Sequence, residues 1–143
     1  MNSYITNCPG SGRLGGVQNI LIGQDRIRRG LEELCKALKF LRCENEYEAQ
    51  LAVVNGIHHI KEGLNMIRTG LCELHIPLDC EDLREFREGV RILCNVLKDL
   101  CSVLKDICCG RLCEAEKCLC HAIKCAGKGL CKIEQGLGDM CRY

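Results

Sequence analysis

Tryptophan is absent from this 143-residue chain, and aromatic side chains make up only 3% of it. That leaves no stacking platform for bases or sugars. Charge of either sign is not in excess: 20 Lys and Arg face 19 Asp and Glu, a net of +1, and the signs alternate along the chain. Neither a nucleic acid nor a membrane surface is an expected partner. A long apolar run is missing too, because Lys98, Asp99, Lys105 and Asp106 interrupt the most apolar stretch. The opening residues 1–10 have neither the basic nor the apolar region of a signal peptide. The chain is therefore expected to be made in the cytoplasm. Nor is there Cys-x-x-Cys spacing for a zinc ribbon, an iron–sulfur run, or a phosphate-cradling loop.

What the chain does have is cysteine, 15 in all, within an ordinary hydrophobic content of 47%. That density points to a disulfide scaffold or a metal–thiolate site. The odd count leaves at least one thiol free, metal-bound or paired with another molecule.

The core pattern is separate from the thiols. Four segments repeat one motif: Ile27-Arg28-Arg29-Gly30-Leu31, Ile60-Lys61-Glu62-Gly63-Leu64, Phe86-Arg87-Glu88-Gly89-Val90 and Ile133-Glu134-Gln135-Gly136-Leu137. Extended in steps of three and four, they give apolar heptads with Leu, Ile and Val at position a, and d running from Ile27 to Met140. This spacing predicts an all-α fold, an up-and-down antiparallel four-helix bundle spanning 17–143, with helices at about 17–42, 46–74, 80–109 and 113–140. Residues 1–16, rich in Gly and Pro, read as a flexible arm carrying Cys8. Asn45-Glu46-Tyr47-Glu48 predicts a capping box, Asp79-Cys80-Glu81-Asp82 a second cap, and Gly110 a helix stop.

Position g is small: Gly23, Gly30 and Ala37, then Gly56, Gly63 and Gly70, then Ala122, Gly129 and Gly136. Each glycine inside a helix costs about 1 kcal/mol relative to alanine. Repetition every seven residues predicts close backbone approach between neighbouring helices.

Position e carries Cys35, Cys94, Cys101, Cys108, Cys120 and Cys141. Folding the chain back near Arg111 predicts Cys108 opposite Cys113, Cys101 opposite Cys120, and Cys94 opposite Cys131, with Cys125 competing for the last. Cys72 and Cys80 flank the turn at Pro77. Each bridge would contribute about 2–4 kcal/mol, given Cα separations of about 4.4–6.8 Å. Cys8, Cys43 and Cys141 suit bonds between molecules. Catalysis finds no support: His58, His59, His75 and His121 are scattered, and the carboxylates fall in i,i+4 patterns with Lys and Arg. Neither an enzyme nor a small-molecule substrate is expected.

The thiols Cys108, Cys109, Cys113, Cys118, Cys120 and Cys125 form the one candidate metal cluster, suited to a soft ion. With the predicted bundle, they make the chain resemble the bacterial copper-storage proteins in architecture. That resemblance implies Cu(I) bound by Cys-x-x-x-Cys pairs, a spacing met here only at Cys109 and Cys113. The cysteine density, Cys8 on its arm and the missing export signal are similar to cysteine-rich spore-surface proteins of Firmicutes. That likeness implies a structural subunit that assembles with itself and is stapled by disulfides, without cofactor, on a cell or spore surface. A head-to-tail contact through the arm would build a filament or sheet.

Overall fold

Heptads of aliphatic side chains fold into helices because each buries one stripe against the others, and the computed structural model shows four of them. It describes residues 9–77 and 81–140. Helix α1 spans Pro9–Arg42, α2 Glu46–Glu73, α3 Arg84–Cys108 and α4 Leu112–Met140, with a 3-10 turn at Glu81–Leu83 before α3. Helix α1 packs on α2 and α3 on α4, with lesser contacts from α1 to α4 and from α2 to α3. The helices thus follow chain order around an antiparallel four-helix bundle, as the sequence predicts. No helix among the described residues is long and apolar enough to cross a membrane.

The d positions supply the centre. Ile27, Leu34, Ile60, Ile67, Phe86, Leu93, Leu100, Leu119 and Ile133 are completely buried. Each such side chain contributes on the order of 1.5–3 kcal/mol by leaving water. Several a positions are less enclosed: Leu31, Leu38, Ile57, Leu97, Leu104 and Ile123 are only partly buried. Among the described residues no polar or charged side chain is buried. Apart from Phe86, the described core is aliphatic.

Helix ends are set by local hydrogen bonds. Asn45 caps α2 by accepting from the Glu48 amide at 3.3 Å. The reciprocal half of a capping box is pre-empted, since the Asn45 amide donates to the Phe40 carbonyl at 2.8 Å. Three helices end in the same paired turn, in which two amides reach back to the last helical carbonyls. After α3, Gly110 takes φ 78° and Arg111 donates to the Asp106 carbonyl at 2.8 Å. The equivalent left-handed positions after α1 and α2 hold Glu44 and His75, at φ 60° and 58°.

Two boundaries differ from the sequence expectation. Helix α1 begins at Pro9 and not near residue 17, so residues 9–16, expected to belong to a flexible arm, are helical, and Gly16 packs on Gly70 of α2. Residues 1–8 of the expected arm, with Cys8, lie outside the described residues. Helix α3 begins at Arg84 after the 3-10 turn, with Leu83 at its cap and no side-chain capping bond. The expected cap at Asp79 also lies outside the described residues.

Candidate functional site: glycine seams and an outward thiol layer

Glycine at position g lets two backbones touch. A Cβ placed on Gly23 would lie 2.6 Å from the Gly63 carbonyl oxygen, and one on Gly63 would lie 2.6 Å from that of Gly23. Gly16 with Gly70 and Gly30 with Gly56 repeat this reciprocal contact one heptad away on either side. Ala37 and Ala49, both fully buried, continue the seam to the α1–α2 turn. In the second hairpin, Gly89 meets Gly129, and Gly136 faces the Phe86 backbone. The rest of that seam uses larger buried side chains, Val96 and Val103 against Ala115 and Ala122. The bundle is therefore two zipped hairpins, α1–α2 and α3–α4. Its other two interfaces are looser.

Because small residues occupy the seams, the cysteines fall elsewhere. The Cys108 sulfur accepts from Gln50 Nε2 on α2 at 3.4 Å, so position e of α3 faces α2. Cys94 and Cys101 share that line one and two heptads earlier. On α4, Arg42 Nη2 of α1 approaches Cys120 Sγ at 3.9 Å, Arg28 of α1 pairs with Glu134, and Cys113 joins Leu41, Arg42 and Glu44 around a cleft of about 240 Å³. The e line of α4 thus faces α1. Helices α3 and α4 turn their e-position thiols to opposite flanks, so Cys108 and Cys113 do not meet across the α3–α4 seam, nor do Cys101 and Cys120. Cys131 is exposed one position beyond Leu130, on the α1 side of α4, away from the line of Cys94. Cys43 is exposed in the α1–α2 turn and Cys72 is exposed near the end of α2. Cys8, Cys80 and Cys141 lie outside the described residues.

Twelve cysteines are described, all as free thiols: eight exposed, with Cys94, Cys118, Cys120 and Cys125 half-buried. Cys118 and Cys125 lie along the outer edge of the α3–α4 seam and pack against the core. The Cys118 thiol donates to the Asp99 carbonyl at 3.8 Å. Burial pushes its pKa up, and the charges of Asp99 and Asp106 add to the rise. It is a poor thiolate. Cys125 instead lies 3.4 Å from Nε2 of the exposed His121, one turn earlier on α4. The candidate cluster of Cys108, Cys109, Cys113, Cys118, Cys120 and Cys125 is spread over three flanks of the bundle pole. No three His, Cys, Asp or Glu side chains among the described residues converge on one point.

Ion pairs lace the flanks. Lys132 binds Glu85 at 2.8 Å and approaches Glu88 at 3.9 Å across the α3–α4 seam. The hydrogen bond from Lys132 holds the Glu85 carboxyl below its ordinary range, and Glu85 in turn raises Lys132. Across α1–α2, Arg26 pairs with Glu62. Glu33 accepts from Lys36 and from Asn55, and the Lys36 hydrogen bond lowers its pKa.

No protein-family model, curated protein or solved structure matches the chain. Two seam positions, Gly16 and Gly89, were not among the glycines expected to pack. The signal for Gly89 was present in the repeated motif, whereas Gly16 was hidden by the Gly-rich composition around it.

Proposed function

We propose that the chain is a structural subunit that associates with copies of itself and is fixed by disulfides between copies. The observation that carries this reading is the separation of core from thiols. Aliphatic side chains fill the centre, small residues fill the seams, and eight of the twelve described cysteines are exposed. Exposed thiols on a rigid bundle are accessible to another molecule and stay reduced until they leave a reducing compartment. Cys43 at one pole and the terminal Cys8 and Cys141 are the first candidates for links. The reading includes deposition on a cell or spore surface, where oxidation follows assembly. Links between different faces of the subunit would extend into a filament or sheet, not close into a ring.

Denaturing electrophoresis of native material with and without reductant, beside negative-stain images, tests it. High-mass material that collapses to the 16.0 kDa monomer on reduction, with fibres or sheets in the images, is the expected result. A monomer band in both lanes and no assemblies would remove the reading, and Cu(I) titration of the reduced chain would then test thiolate storage.

A further inference from the structure

The geometry points to a zinc half-site formed by His121 and Cys125 on the outer face of α4, completed by the same pair from a second copy of the chain. The two residues are one turn apart, so a single helix holds both ligand atoms without help from a loop. Their Nε2 and Sγ atoms are 3.4 Å apart. Zinc bonds of about 2.0–2.1 Å to nitrogen and about 2.3 Å to sulfur, at a tetrahedral angle, put two such ligands about 3.5 Å apart. The pair therefore already spans one edge of a zinc tetrahedron. An imidazole and a thiolate are also the donor types this borderline-soft ion selects.

One chain supplies only this edge, since no third His, Cys, Asp or Glu among the described residues joins it. Cys118, one turn before His121, is turned to the Asp99 carbonyl. A twofold arrangement of two α4 helices supplies the other two ligands as a second His121 and Cys125. Two thiolates balance the dication, so the metal centre itself carries no net charge and adds nothing to the repulsion between Lys117, Lys124 and Lys128 of the two helices. The second copy rests on the self-association reading, but the contact needs no oxidation, and the two fail separately.

The test uses the full chain kept reduced by a phosphine, so disulfides play no part. Sedimentation velocity is run with Zn(II) and with chelator, with bound zinc counted. With zinc, wild type is expected to sediment at twice the mass it has with chelator. His121→Ala and Cys125→Ser are each expected to keep the same mass with zinc as with chelator and to bind one zinc fewer per two chains, with unchanged helical circular dichroism. His58→Ala is expected to dimerise like wild type. In wild type, zinc is expected to move the His121 imidazole nitrogen resonances. A zinc-induced dimer that survives in both variants would overturn the proposal, as would absence of any zinc-dependent dimer. Unchanged His121 resonances would do the same.

Discussion

A Cβ carries opposite consequences at different glycines of one fold. At Gly23 it would meet the Gly63 carbonyl oxygen at 2.6 Å, whereas at Gly127 nothing lies within 4 Å. Gly23→Ala gains about 1 kcal/mol of helix propensity but forces two backbones apart, which exceeds that gain when overpacking costs about 1–3 kcal/mol. Gly23→Ala is therefore expected to lower the thermal midpoint and Gly127→Ala to raise it. Equal shifts of the same sign would show that the seam is not closed backbone to backbone. Thiols divide in the same way. Cys118, half-buried and pushed up in pKa, should be alkylated by iodoacetamide at pH 8 more slowly than exposed Cys131. Peptide mass spectrometry of a time course reads both, and a faster Cys118 would contradict its placement.

Much at the scale of the element was legible in the sequence. Heptads fixed the helices, glycine at g marked the seams, and Asn45 and Gly110 marked two ends. Glu44 and His75 were not legible, because the left-handed turn they adopt normally announces itself by glycine. A left-handed residue other than glycine costs about 1–2 kcal/mol, and glycine returns part of that in chain entropy. Glu44→Gly and His75→Gly are each expected to stabilise by roughly 0.5–1 kcal/mol in denaturant unfolding. Destabilisation by either would show that the side chain does more than fill the turn. The α3–α4 pairing adds a pH dependence. With the Glu85 carboxyl held below its ordinary value of 4.5, its stabilising pairing with Lys132 is fully present above that pH. It is lost as pH falls through the lower folded value. Lys132→Met should move the Glu85 carboxyl midpoint, followed by NMR, up towards the ordinary value. An unmoved midpoint would mean the ion pair does not form in solution.

Across the whole molecule, small residues zip two hairpins and leave two looser interfaces between them. The side on which each cysteine line falls was not legible from spacing. Counting residues back from Arg111 gives the register of a hairpin, but whether position e or g meets the partner depends on which residues are small enough to touch. Glycine, alanine and valine at g took the α3–α4 contact, so Cys101 turned with α3 towards α2 and Cys120 with α4 towards α1. Thiols that do not meet inside a subunit are available to meet between subunits. The most direct measurement of that claim is isotope mixing: reduced chains grown in ¹⁴N and ¹⁵N are combined, assembled and oxidised, and their disulfide-linked peptides are weighed. Links joining a light peptide to a heavy one are predicted, including links through exposed cysteines such as Cys43. Disulfides found only between peptides of the same isotope would place every bond within one chain and contradict the account.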